Sequence, residues 1–194
     1  APQFSIHRRV TAILEKRPKT CQGSWIGKER GHRWHPLSTD SQRRPAPRKD
    51  DVADAARYAK TFHATRIIHR ADSPAMPDAE WIIDGEDAVQ AEPEFVFIPV
   101  PGHTAGSTSL LYNNRFLFSG DHLWWDRKLQ RLGTPETLVW DDGQLEESVR
   151  TLLNYSFEWV LPGHGKRIHL HRSGMKDAVE KLICSRWPLK KSRV

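Results

Sequence analysis

A layered α/β domain is the fold class this sequence predicts, on three features. Strand-like and helix-like stretches alternate in mixed order from about residue 50 onwards. The clearest hairpin, Ser109 to Tyr112 with Arg115 to Ser119, turns on Asn113-Asn114, a residue type that tolerates positive φ. Third, one device occurs three times: an apolar strand leaves through a glycine and delivers a residue able to bind a metal. Glu94-Phe-Val-Phe-Ile98 leads through Pro99-Val-Pro-Gly-His-Thr-Ala-Gly-Ser107 to His103. Phe116-Leu-Phe-Ser-Gly-Asp-His-Leu123 delivers Asp121, and Phe157-Glu-Trp-Val-Leu-Pro-Gly-His-Gly165 delivers His164. A histidine on a turn between buried strands is held in place, as a metal ligand must be.

Taken in order, residues 4 to 17 carry Ile6, Val10, Ile13 and Leu14 at helical spacing, and Pro18 ends that helix. Residues 19 to 49 show neither helical nor strand periodicity, and Arg43-Arg-Pro-Ala-Pro-Arg-Lys49 reads as an extended linker. A shifted reading frame in the gene would produce so abrupt a change of character, which resequencing would decide. Val52, Ala55, Ala56, Ala59 and Phe62 share a helix face, with Asp50 or Asp51 capping it. Thr65 to His69 reads as a strand, Ser73 to Pro77 as a loop, and Trp81 to Ile83 as a strand entering a turn at Asp84-Gly85. Gln144 to Leu153 has helical spacing, and Ser173 to Trp187 predicts a final amphipathic helix capped by Ser173. The chain thus divides into a basic, poorly patterned segment, 1–49, and a domain, 50–194.

The 194 residues suffice for one domain with a real core. A content of 38% hydrophobic and 28% charged residues suits a globular protein. No apolar run reaches the length of a bilayer span, and no signal-peptide core opens the sequence. Cys21 and Cys184 are two and far apart, so a disulfide framework is not expected and the cytoplasm is the default compartment. The net charge of +6 is unevenly placed: from Arg8 to Lys49 twelve Lys or Arg face three carboxylates, and the remainder is net acidic. Such an arm can neutralise nucleic-acid phosphates, with Trp25 and Trp34 able to stack on bases. The favoured alternative is a solvated, poorly ordered segment.

With these motifs in hand, Pro-Gly-His-Thr-Ala-Gly-Ser, Ser-Gly-Asp-His and Leu-Pro-Gly-His-Gly resemble the second half of the metallo-β-lactamase fold superfamily. The likeness runs from about Asp50 to about His171. It implies an αββα sandwich, incomplete on its N-terminal side. It also implies that His103, Asp121 and His164 are metal ligands, Asp121 bridging two ions. The family's first motif, His-x-His-x-Asp-His, meets Arg48-Lys-Asp-Asp-Val-Ala-Asp-Ala55 here. Asp54 matches the motif's aspartate and its histidines have no counterpart. Asp54, Asp121 and His164 then suit one ion rather than two, zinc first and iron second, with His103 left at a poorly furnished position and Asp54 also taken as catalytic.

The expected function is therefore a metal-dependent hydrolase acting on an ester, thioester, amide or phosphoester bond of a small molecule. A non-catalytic protein of the same fold and a nucleic-acid binder using residues 1 to 49 are the rivals. An uncovered sheet edge would favour homodimerisation. Among the remaining candidates, His122 is expected to point away from Asp121, and His69 to be structural. His32 and His35 form a weak metal pair. Asp126, Asp141 and Asp142 read as loop carboxylates, and Trp124-Trp125 as either substrate contacts or core.

Overall fold

A computed structural model describes residues 55–188. The expected helix over 4–17, the cap at Asp50 or Asp51, Cys21, Trp25, Trp34, His32, His35, Arg48 and Asp54 lie outside them.

The chain enters through α1 (Ala55–Phe62). A two-stranded parallel sheet follows, β1 (Ile67–His69) with β2 (Trp81–Ile83). Between them, where the sequence suggested a loop, Arg70–Ala75 coil into a 3₁₀ turn. The reason is local: His69 Nδ1 accepts the Ala71 N–H, and the Ser73 hydroxyl donates to the Arg70 carbonyl. Strand β1 starts at Ile67, later than predicted, because the Arg66 backbone N–H and guanidinium are engaged by Glu80.

Among the described residues six strands make the main sheet: β3 (Val89–Glu92), β4 (Phe95–Pro99), β5 (Thr108–Tyr112), β6 (Phe116–Gly120), then β9 (Trp159–Pro162) and β10 (Ile168–His169). The order across the sheet is β10-β9-β6-β5-β4-β3. The β5–β6 hairpin turns at Asn113 (φ 52°) and Asn114 (φ 48°), as the sequence predicts. A short ribbon, β7 (Trp124–Asp126) with β8 (Arg131–Gly133), projects after β6.

Alternation along the strands sends Val96, Ile98, Leu111, Leu117 and Val160 to one face, where α2 (Asp142–Thr151) and α3 (Arg172–Arg186) cover them. Met175, Val179, Leu182 and Ile183 recur at helical spacing on α3, and Leu145 and Val149 on α2, so each helix lays one stripe on the sheet. Two helix starts differ from expectation. Asp141 caps α2, its carboxylate accepting the Gln144 N–H at 2.9 Å, and Asp142 lies in the first turn rather than in a loop. The residue preceding α3 is His171, not Ser173, because the Met175 N–H already closes on the His171 carbonyl.

The opposite face carries rings in register across five strands: Phe95, Tyr112, Phe116, Trp159 and His169, with successive centroids 4.8, 6.1, 6.3 and 4.6 Å apart. Such pairs contribute about 0.5–1.5 kcal/mol each beyond burial. Trp81 of β2 meets Phe97 edge-on at 5.7 Å, bringing the small sheet against this face. The result is a layered, mixed α/β architecture. Among the described residues no helix is long and apolar enough to cross a membrane.

Candidate metal centre

Strands β6 and β9 are parallel neighbours, so their C-terminal exits leave the sheet side by side. At the β6 exit the ladder shifts register between Phe118 and Gly120, and Asp121 follows. Its loop is fixed from below. The Ser119 hydroxyl donates to the Leu123 carbonyl (2.6 Å), the His122 N–H to Ser119 (3.0 Å), and the Thr134 hydroxyl to the His122 carbonyl (2.9 Å). The β9 exit is tied to the same place by the Gly163 N–H, which donates to the Gly120 carbonyl at 2.7 Å. A Cβ on Gly163 would stand 2.9 Å from Asp121 Oδ1, so the glycine is what lets this carboxylate approach.

The third exit, the β4–β5 turn, brings His103 in from the neighbouring hairpin. The three sequence-predicted residues therefore meet outside the strand ends, where ligand sites gather in layered α/β folds. Imidazole Nδ1 of His164 lies within hydrogen-bond distance of both carboxylate oxygens of Asp121, and the His164 N–H donates to the nearer one. His103 Nε2 stands 3.9 Å from Asp121 Oδ2. His103 and Asp121 are partly covered, whereas His164 is 62% exposed.

Two imidazoles and a carboxylate are donors that zinc and iron accept. The arrangement is contracted, however: Asp121 and His164 bond each other directly, and among the described residues no group of three such side chains is set to hold a metal ion. Asp54, the fourth residue expected from the sequence, lies outside the described residues.

His122 turns into the protein, as alternation predicts, and is 1% exposed. Burial pushes its pKa down to about 3, with the neighbouring His103 adding to the effect, so the ring is neutral. Among the described residues neither of its nitrogens has a partner, nor does the buried Nδ1 of His103. His69 is structural, its two nitrogens engaged by the Ala71 N–H and the Gly85 carbonyl. Asp126 accepts the Lys128 and Leu129 N–H groups in the β7–β8 turn, which hold its carboxyl below the usual range.

A cleft of about 810 Å³ opens over the centre, with His103, Asp121, His164, Trp124, Arg131 and Arg186 in its wall. The tryptophan pair divides: Trp124 faces the cleft, packed against Gly133 and Gly165, while Trp125 joins the core. Arg186 was not evident from the sequence. It comes from the end of α3, bonds Asp142 at 2.7 Å and stacks over Trp187, a contact spanning 44 residues with no local signal.

No protein-family model matches this sequence, and no curated protein matches it. Among solved structures the chain is similar to the BLEG-1 B3 metallo-β-lactamase, at 22% identity and a TM-score of 0.44 over 62% of this chain and 66% of that one. It is also similar to ST1585, a metallo-β-lactamase superfamily protein from Sulfolobus tokodaii, at 12% identity and 0.45 over 73% and 65%. The DIM-1 metallo-β-lactamase gives 15% identity and 0.47 over 71% and 64%. The chain spans about two thirds of the length of these structures.

Proposed function

We propose that this chain is a metallo-β-lactamase-like hydrolase that holds one metal ion through Asp121, His164 and Asp54, zinc being the first candidate and iron the second. The observation that carries the reading is the convergence of three separate strand exits, each bearing a ligand-type residue, on the carboxylate of Asp121. An ion bound there would act as a Lewis acid and lower the pKa of a bound water to about 7.

The chain's own residues then bind and orient. Asp121 orients His164, whose Nδ1 lies within hydrogen-bond distance of both its oxygens. His103 Nε2, on the cleft wall, is the atom placed to take up a proton released beside Asp121. Trp124 gives the bound molecule a flat apolar wall, and Arg131 a cation across the cleft. The substrate in this reading is a small molecule carrying an ester, thioester, amide or phosphoester bond. Hydrolysis of a panel of those four classes tests it. Activity lost with chelator, restored by zinc and absent from Asp121→Ala is the expected result. No hydrolysis of any class at saturating zinc would contradict it.

A second reading has its own support: the Asp121–His164 pair is satisfied without an ion, and the first-motif histidines have no counterpart in the sequence. A non-catalytic protein retaining the fold would look like this. Metal analysis of protein purified without added zinc separates the two readings.

A further inference from the structure

We infer that Asp72 is the positioning residue of His103, a role that rests on reading His103 as part of the centre. Ligating histidines are ordinarily oriented by a hydrogen bond from the ring's other nitrogen to a carboxylate or carbonyl. Among the described residues His103 has none: Nδ1 is buried and unpartnered, and only Nε2 faces Asp121. Its direction must therefore come from the backbone on either side.

On the N-terminal side α2 holds the turn. The Ser148 hydroxyl donates to the Pro101 carbonyl at 2.7 Å, and the Trp140 and Asp141 N–H groups both reach the Gly102 carbonyl. On the C-terminal side the holder is Asp72, thirty-two residues before Thr104, in the 3₁₀ turn between β1 and β2. Its Oδ2 accepts the Thr104 hydroxyl at 2.5 Å and its Oδ1 the Gly106 N–H at 3.1 Å, so each carboxylate oxygen is used on this turn. Ser107 closes the same loop, its Oγ accepting the Thr104 N–H at 3.0 Å and lying 2.8 Å from the Thr104 hydroxyl. The fit leaves no room for a side chain at Gly106, where a Cβ would stand 2.7 Å from the Asp72 carboxyl carbon and 2.8 Å from its backbone nitrogen. Charge-assisted bonds of this kind are stronger than neutral ones. Asp72 does not line the cleft, so it acts through His103 rather than on a bound molecule. Thr104 and Gly106 of the His103 motif thereby gain a reason as the sockets for this carboxylate, and Ser107 braces Thr104.

The test uses the full chain and the variants Asp72→Ala, Thr104→Val, Thr104→Ser and His103→Ala, with zinc as the probe. Asp72→Ala and Thr104→Val should speed amide exchange at Gly106 at least tenfold while β5 amides keep their protection, and Thr104→Ser should match the parent. Both should weaken zinc binding by the same factor as His103→Ala, with no further loss when Asp72→Ala is combined with His103→Ala, because one acts through the other. Additive losses, or unchanged exchange at Gly106 in folded Asp72→Ala, would overturn the assignment. Should Asp72→Ala fail to fold, the Thr104→Val and Thr104→Ser pair decides: equal exchange in the two overturns it. Should the parent bind no zinc, the metal reading fails, while exchange at Gly106 still decides whether Asp72 holds the turn.

Discussion

Asp121 and His164 come from strand exits 43 residues apart, and they meet as a pair: Nδ1 of His164 lies 2.8 Å from Oδ1 of Asp121 and 2.9 Å from Oδ2. The backbone N–H of His164 donates to the same carboxylate at 3.1 Å. One aspartate thus organises both loops, and its removal should be felt at each.

Gly102 binds the His103 turn to α2. Its φ is +141°, and a Cβ there would fall 2.5 Å from Leu145 Cα and 2.7 Å from its backbone nitrogen. Helix backbone cannot move aside cheaply, so Gly102→Ala should cost at least about 2 kcal/mol. Gly174, in the first turns of α3, has no neighbour nearer than 4.0 Å, and Gly174→Ala should stabilise by about 0.5 kcal/mol. Denaturant midpoints of the two variants should move in opposite directions.

The buried ring of His122 is a second point of leverage. Both nitrogens are without partners among the described residues, and burial keeps the ring neutral. Replacing an unsatisfied buried polar group with an apolar one of similar size removes its desolvation cost. His122→Leu should therefore raise stability by about 1 kcal/mol at pH 7, read as a higher urea midpoint at unchanged slope. A clear loss would mean that the ring nitrogens are bonded after all.

Acid sensitivity should appear at the β1–β2 sheet. The Arg66 guanidinium donates to both carboxylate oxygens of Glu80, and the Arg66 backbone N–H adds a further bond at 2.7 Å. Together they pull the Glu80 carboxyl from its ordinary 4.5 down to about 2. A carboxylate lowered in the folded state stabilises fully above its unfolded pKa, and that contribution fades as pH falls through the folded value. The stability difference between the parent and Glu80→Gln should be largest at neutral pH and shrink between pH 4.5 and pH 2. A difference that stays constant over that range would remove the ion pair from the account.

What the sequence made legible was local. The β5–β6 hairpin was readable because Asn113 and Asn114 supply the positive φ of its turn, and the strand exits because a glycine directly precedes each ligand. Strand alternation sent His122 inward, whereas Trp124 and Trp125 were read together as either substrate contacts or core, and the structure divides them. Asp72 and Arg186 were not readable, because their partners lie 32 and 44 residues away and neither residue type carries a pattern. The helix starts were misjudged because Asp141 and Asp142 were read as loop carboxylates and Ser173 as a cap, whereas the chain turns helical at Asp142 and at Arg172.

The central claim is that Asp121 is the hub of a one-ion centre in which His103 is secondary. Zinc titration of the parent, Asp121→Ala and His103→Ala, with bound metal counted after dialysis, tests it most directly. The account predicts one zinc per chain in the parent, none in Asp121→Ala, and weakened but measurable binding in His103→Ala. Equal zinc content in the parent and Asp121→Ala would contradict it.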